Sequence, residues 1–541
     1  MSTALKAARF AAGRAAMPVV FVLGAIAVAG FEPIGLSLLS PLTLTALVCL
    51  LAVAENPRRA ALLGFLWGLG HFLAGVSWVY VSLHVYGQMP APVAALATFA
   101  FCAYLALFPA LAGSLCARFG AAPPALRAAI LLPSFWVLGE WLRSWLLTGF
   151  PWLATGYSQT DTPLAGFAPL AGLYGVSLAT AISAGLLAAA ILVRETSRRL
   201  ACIGAIVIVV AGGAMLRSTA WTVPEGDPLD VALVQGNVPQ NLKFDPVRYR
   251  ETLASYARLV ESSKAKLIVL PETAIPRLLD SVDPRYLDRL AEHAYALQGD
   301  LLLGAPFRVR EGNYYNGVVN LGATATQFYA KRHLVPLGEF VPAEFAWIVA
   351  LMQMPLSDFS RGADTQAPMR AAGVKVALTV CYEDAFGEEL IAQLPEATVL
   401  ANLSNVAWFG DSLAPDQHLQ ISRMRSIETG RPMVRATNTG ATAAIDERGR
   451  VIARLPPFTE GVLHARIQPF TGATPYVRLG NAPALAAAAL LATVLLCWTC
   501  TRHGSPAFAM LMDEEQEAPR RAQQQQQNTR RHLPSRLGKS D

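Results

Sequence analysis

Three residues of this sequence stand where chemistry could be done. The run from Val374 to Val380 is β-branched and apolar, and it stops at Cys381, with Glu383 and Asp384 close behind. Such a run reads as a buried strand that carries a nucleophile to the rim of a sheet, where binding and catalytic groups gather. Residues 266–270 read as another strand, ending just before Glu272, and residues 326–329 as one that leads into Lys331. A thiol with a pKa of about 8.5 is mostly protonated at neutral pH. It becomes a working nucleophile when a base takes its proton and a nearby cation favours negative charge. A carboxylate can be that base, and an ammonium can stabilise the oxyanion of an attacked acyl carbonyl. Each residue also has a plainer reading: Glu272 as a helix N-terminal acid, Lys331 as a surface charge, Cys381 as a core thiol. Spacing alone does not choose between the two.

The elements that must position these groups belong to a mixed pattern of short strands and helices. Strands are expected at 231–236, 266–270, 301–305, 318–321, 326–329, 374–380 and 397–402, with a closing hairpin across Asp446 to Gly449. Helices are expected at 246–264, 285–297 and about 416–430. This alternation predicts a layered α/β domain over residues 222–475.

The rest of the chain is different in kind. Of 541 residues, 53% are hydrophobic and only 15% charged, against roughly a quarter charged in an ordinary soluble domain. The apolar residues concentrate before Leu216 and again between about 482 and 500. A membrane helix needs about 20 mostly apolar residues. Seven are expected before the α/β region, at about 15–31, 36–54, 60–83, 91–116, 125–147, 171–193 and 200–216, and an eighth at about 480–500. The chain therefore divides into a seven-helix domain (1–221), the α/β domain, a single helix (476–501) and a disordered tail (502–541) that holds the run Gln523 to Gln527.

Basic residues fix the expected orientation. Lys6, Arg9 and Arg14 precede the first helix, Arg58 and Arg59 follow the second, Arg118 and Arg127 flank the fourth and fifth, and Arg194, Arg198 and Arg199 separate the sixth and seventh. The intervening loops near Glu32, Gly87 and Asp161 carry none. Both termini are thus expected in the cytoplasm and the α/β domain outside. The net charge of +6 sits beside apolar blocks, which points to membrane topology rather than nucleic acid. Glu140 and Arg143, three apart near a membrane end, read either as a structural ion pair or as a lipid head-group contact. The aromatic, Gly/Pro-rich stretch Thr148 to Tyr157 suits a head-group layer.

Six of the seven cysteines lie in the apolar blocks, where cysteine behaves as a small hydrophobe; Cys381 is alone in the α/β region. No metal-ligand spacing and no phosphate-cradling glycine loop is present, so no metal and no cofactor is expected.

The segments around Leu270–Thr273, Tyr329–Pro342 and Cys381–Glu383 resemble the Glu-Lys-Cys signatures of the nitrilase superfamily. More narrowly, the lysine motif running into Glu339, with Asn405–Ser412 and Arg423–Pro432, resembles the apolipoprotein N-acyltransferase family. The resemblance implies an αββα sandwich outside the cytoplasmic membrane. It implies Glu272 as general base, Lys331 as oxyanion stabiliser and Cys381 as nucleophile, with Glu383 and Glu339 supporting Lys331 or an incoming amine. The implied reaction is ping-pong: the sn-1 acyl chain of a phospholipid, typically phosphatidylethanolamine, passes to Cys381. It then passes to the α-amine of an S-diacylglyceryl-cysteine on a lipoprotein. The resemblance also implies a monomer of the bacterial inner membrane. Tyr382 and Trp408 are candidate acyl-chain contacts, and Phe244 stands where the family often has tryptophan. The apolar run 340–355 is expected to dip into the outer bilayer face or cover the acyl chain. A membrane-anchored amidase using water as acceptor is the alternative; a transporter would need charged or broken helices at mid-membrane.

Overall fold

The computed structural model describes residues 3–119, 121–310, 313–336, 338–340 and 358–503. Most of the apolar run 340–355 and the tail beyond 503 lie outside the described residues.

Fourteen strands are present among them. A first sheet has the order β13 (Gly461–Ile467), β2 (Leu229–Gln235), β3 (Leu267–Val269), β4 (Asp300–Arg310), β5 (Asn313–Gly322), β6 (Phe328–Ala330). A second has the order β12 (Val451–Arg454), β11 (Ala443–Ile445), β10 (Met433–Thr437), β9 (Val399–Ser404), β8 (Val374–Val380), β7 (Met369–Ala371). β1 (Val223–Pro224) and β14 (Phe470–Thr471) form a small antiparallel ribbon. Each large sheet has three parallel central strands, β2-β3-β4 and β8-β9-β10, flanked by antiparallel neighbours.

Alternation along the strands builds the layers. Val231, Leu233, Leu267 and Val269 of the first sheet meet Val376, Leu378, Val399 and Leu403 of the second in one buried core. Their neighbours point the other way. Ala232, Val234 and Ile268 pack under the helices Tyr249–Glu261 and Pro284–Ala296, while Ala377 and Leu400 pack near Leu419 of the helix Ala414–Thr429. The order of layers is helix, sheet, sheet, helix. Strands buried on both faces need continuous apolar runs, which is why they are visible in the sequence.

The fourth layer is shared. In the helix Ala414–Thr429, Ala414, Ile421, Met424 and Ile427 join a core that also contains Trp78, Trp152, Leu173 and Tyr174 from the membrane region. An ordinary outer helix keeps a polar face toward water; this one has bundle on one side and sheet on the other.

Among the described residues six helices are long and apolar enough to span a bilayer: Pro57–Val76, Ala91–Arg118, Pro124–Arg143, Pro163–Leu192, Thr196–Ser218 and Ala482–Thr501. The first expected span, 15–31, is matched by Ala16–Gly30, which follows a shorter helix, Leu5–Ala12, at a bend of 97°. The second, Leu39–Val53, is 15 residues long and is followed by the helix that Asn56 caps.

Glu140 and Arg143 do not pair with each other among the described residues. Glu140 Oε1 accepts from the Thr155 amide (2.8 Å), the Thr155 hydroxyl (2.6 Å) and Trp136 Nε1 (3.1 Å). Arg143 Nη1 donates to the carbonyls of Phe150 (2.6 Å) and Trp152 (2.7 Å). Both therefore shape the loop 149–155, whose buried backbone must be satisfied. That loop is buried against the α/β domain, with Trp152 only 2% exposed, and does not form a head-group layer.

Candidate active site

Three strand ends converge. Glu272 lies three residues past β3, Lys331 directly follows β6, and Cys381 directly follows β8. The Lys331 amide donates to the Asn316 carbonyl of β5 (2.8 Å), which fixes where its side chain starts. Lys331 Nζ then lies 3.3 Å from Glu272 Oε1 and 2.8 Å from Glu339 Oε2, with all three side chains nearly or fully buried. Asn316 Nδ2 donates to Glu272 Oε1 (2.8 Å) and to Glu339 Oε1 (2.6 Å), and the Asn405 amide donates to Glu272 Oε2 (2.9 Å). The Cys381 thiol also takes part in a hydrogen-bonding interaction with Glu272.

Burial alone would raise the Glu272 pKa, but Lys331, Asn316 and Lys243 outweigh it and hold it below the usual carboxylate value. Lys331 is held above its usual value: its burial, which opposes this, is outweighed by Glu272 and Glu339. Burial, reinforced by the Glu272 charge, pushes the Cys381 thiol up to about 12. At neutral pH the resting site is thus an ionised carboxylate, an ammonium and a protonated thiol. Such a set can transfer the thiol proton only as an electrophile arrives.

Glu383 does not contact the Lys331 ammonium. Its Oε1 accepts from the amides of Arg332 (2.5 Å) and His333 (3.1 Å), and its Oε2 from the Val380 amide (2.6 Å) and the Tyr329 hydroxyl (3.1 Å). One carboxylate thereby ties the backbone just after Lys331, and the Tyr329 side chain just before it, to the end of β8, so Glu383 orients the segment that carries Lys331.

Cys381 itself has φ +55°, a left-handed conformation that costs a non-glycine residue about 1–3 kcal/mol. It is half-buried. Its carbonyl accepts from Asn402 Nδ2 (3.0 Å) and contacts His418 Nε2 (3.2 Å).

The expected acyl-chain contacts are dispersed. Tyr382 is buried; its hydroxyl donates to the Gly149 carbonyl (2.8 Å) and its ring stacks near Phe150 and Trp152. Trp408 is half-buried, its carbonyl accepting from Ser82 Oγ (2.7 Å) and its ring 6.2 Å from Tyr86. Phe244 is half-buried in the loop after β2. Beside it lies a residue that the sequence pattern does not single out. Lys243 is 2% exposed and donates to the Glu272 carbonyl (3.2 Å), and burial lowers its pKa to about 8. Asn316 and His418 are likewise site residues missed from sequence, and Asn405 opens a segment that carries the family resemblance but has no role of its own there. Lys243 had a signal, a lysine one position from a residue already noted; Asn316 sits mid-strand and His418 mid-helix, where nothing local marks them.

Next to the lysine loop a cavity of about 640 Å³ opens between the α/β domain and the membrane helices, lined among others by Trp141, Trp145, Tyr174, Arg332 and Glu389. No group of three or more His, Cys, Asp or Glu able to hold a metal occurs among the described residues.

Residues 23–186 match the family described as apolipoprotein N-acyltransferase N-terminal domain, and residues 230–476 the carbon-nitrogen hydrolase family. An apolipoprotein N-acyltransferase of Nitrosomonas europaea is 49% identical over 479 residues, covering 87% of this chain and 95% of that protein. One from Ralstonia nicotianae is 46% identical over 88% of this chain and 92% of its own. One from Methylococcus capsulatus is 46% identical over 84% and 90%.

Proposed function

The chain belongs to the apolipoprotein N-acyltransferase family, and from that premise we propose a two-step acyl transfer through Cys381. In the first step Glu272 takes the thiol proton as sulfur attacks the sn-1 ester carbonyl of a phospholipid, phosphatidylethanolamine being the expected donor. The oxyanion of the tetrahedral intermediate faces the Lys331 ammonium. Collapse leaves a thioester on Cys381 and expels the lysophospholipid, whose alkoxide takes the proton back from Glu272. In the second step the α-amine of an S-diacylglyceryl-cysteine attacks the thioester, gives its proton to Glu272 and leaves with the acyl group as an amide. Cys381 regains its proton.

The observation that carries this reading is the contact of Glu272 and Lys331 at 3.3 Å beside a thiol held protonated at about 12. A base and an electrophilic cation must lie together on the attacked carbonyl for both roles to be served at once. Glu339 and Asn316 hold the pair in register, while Glu383 fixes the segment that carries Lys331. The cavity of about 640 Å³ beside the lysine loop is large enough for part of an amphiphile, with indole rings on its membrane side. We place the α/β domain on the outer side of the inner membrane, with eight crossings and both termini cytoplasmic, on the alternation of basic loops. The protein works as a monomer in this reading.

The test is the intact mass of purified protein after incubation with phosphatidylethanolamine and no acceptor. One added acyl group is expected, released by hydroxylamine and missing from Cys381→Ala. A diacylglyceryl-cysteine peptide should then discharge it to the amine. Free fatty acid without an adduct would favour the amidase-type hydrolase and overturn acyl transfer.

A further inference from the structure

The nucleophile is held from a direction the proposed chemistry does not use. The Cys381 carbonyl is flanked by two side-chain nitrogens, Asn402 Nδ2 at 3.0 Å and His418 Nε2 at 3.2 Å. A carbonyl has two lone pairs, so two N–H donors saturate it and fix the peptide plane that follows the sulfur-bearing residue. Fixing is needed here, because Cys381 sits at φ +55°, a well that non-glycine residues leave unless neighbours hold them.

His418 Nε2 also lies 2.7 Å from Asp384 Oδ1. Both of its neighbours are acceptors, so this nitrogen carries the proton. Asp384 is in turn approached by Arg435 Nη1 (3.2 Å) and by the Ser422 hydroxyl (2.5 Å), and Arg435 also reaches Asn402 Oδ1 (2.6 Å). The chain Arg435–Asp384–His418 and the branch Arg435–Asn402 therefore both end on the Cys381 carbonyl. All four side chains are essentially excluded from water.

This network does not stop inside the domain. The indole of Trp152, from the membrane region's outer loop, lies over His418 at a ring distance of 5.3 Å. The adjoining Gln417 accepts from Trp152 Nε1 (2.7 Å) and Trp78 Nε1 (3.2 Å) and donates to the Gly75 carbonyl (3.1 Å). From the residue that follows Cys381, Tyr382 also donates to the Gly149 carbonyl. Two adjacent residues of one helix thus meet the same indole: Gln417 holds the membrane bundle and His418 holds the peptide carbonyl of the nucleophile.

We propose that His418 is a positioning residue that couples docking of the 149–152 loop to the placement of Cys381, so that the nucleophile is set for attack only when the membrane bundle is seated on the α/β domain. This rests on the reading that Cys381 takes the acyl group. It goes beyond it in assigning the sulfur's placement to the bundle rather than to the sandwich alone.

The experiment uses the full-length protein in phospholipid nanodiscs. His418→Phe keeps a ring under Trp152 and removes the donor; His418→Gln returns an N–H; Trp152→Leu removes the overlying indole and leaves His418 intact. Two rates are read for each: thioester formation from phosphatidylethanolamine by intact mass, and alkylation of Cys381 by iodoacetamide without lipid. For His418→Phe, thioester formation is expected to slow by about 10- to 100-fold at saturating lipid, with KM for lipid changed less than about twofold, because a misplaced reacting atom costs rate rather than binding. His418→Gln should recover most of that loss. Trp152→Leu should slow it by about three- to tenfold, and the double variant Trp152→Leu/His418→Phe should be no slower than His418→Phe alone.

Losses that multiply in the double variant would overturn the coupling, as would a His418→Phe protein with the wild-type rate. A loss that tracks only a lowered Tm, with no recovery in His418→Gln, would also overturn it. If His418→Phe does not fold, Trp152→Leu decides alone: unchanged rates of both acylation and alkylation sink the proposal. If the wild type forms no thioester, the acyl-transfer reading fails instead, and the alkylation rates still report whether His418 and Trp152 place the sulfur.

Discussion

The two sheets bring unlike things to the site. The first supplies charge: Glu272, Lys331 and Glu339 follow its strands and are satisfied by one another, by Asn316 of β5 and by the Asn405 amide just past β9. The second supplies the thiol, and its supports reach out of the domain to Gly149, Trp152 and, through Gln417, to Gly75. The ionic half is private to the sandwich; the half that bears the thiol is shared with the membrane bundle. Buried charges must be balanced over a few ångströms because desolvation is severe, so that half has to be self-contained. A strained backbone turn needs only rigid neighbours, and those can belong to another domain.

The largest effects should come from breaking the private half. Lys331→Met is expected to cut thioester formation by at least about 10³-fold. It should also cost about 3–5 kcal/mol of stability, because Glu272 and Glu339 would be left buried without their cation. Glu272→Gln in the same background should return much of the stability and none of the rate, which denaturant titration beside intact mass would distinguish. A Lys331→Met protein as stable as wild type would mean that the cluster is not electrostatically closed.

Glu383 joins the halves, so Glu383→Gln should give an intermediate loss, about 10- to 100-fold in rate. It carries a pH signature too. Burial lifts this carboxyl to about 7, above its ordinary 4.5. Between these values the folded protein holds a proton that the unfolded chain releases, so this group's contribution to stability declines as pH rises from about 4.5 to about 7 and is level above that. Glu428, also lifted to about 7 by burial, adds a slope of the same sign, while the lowered His418 opposes it. The difference in Tm between wild type and Glu383→Gln isolates the one group: wild type should lose ground to the variant across that window. A constant difference would remove the assignment.

Lys243→Met should be milder, about three- to tenfold in rate. It removes one donor from the Glu272 carbonyl and leaves Lys331 in place. Tyr382→Phe tests the shared half most gently. It deletes one hydrogen bond to Gly149, worth about 0.5–1.5 kcal/mol, and keeps the aromatic packing; acylation should fall by about fivefold or less. A larger drop would mean that docking depends on this bond more than on His418.

Much of the fold is legible in the amino-acid pattern. Strands buried on both faces must be continuous apolar runs, so β2, β3, β8 and β9 stand out, and with them the strand ends that bear Glu272 and Cys381. The apolar blocks likewise mark the membrane helices, although length alone overstates the span at Leu39–Val53. Glu140 and Arg143 are conspicuous as charges in an apolar helix. That each caps a loop rather than binding the other depends on where residues 149–155 fold back.

By itself the sequence determined the parts that follow from local pattern: most of the strands, though not β7, β10 or β13, the segments apolar enough for a membrane, and which residue types could act as base, cation and nucleophile. The tertiary structure decided what depends on convergence across long separations. Asn316 bridging two carboxylates, Lys243 under Glu272, and Trp152 over His418 each join residues from different elements. A one-dimensional period carries no information about such pairs, because register and layer packing alone bring them within a few ångströms.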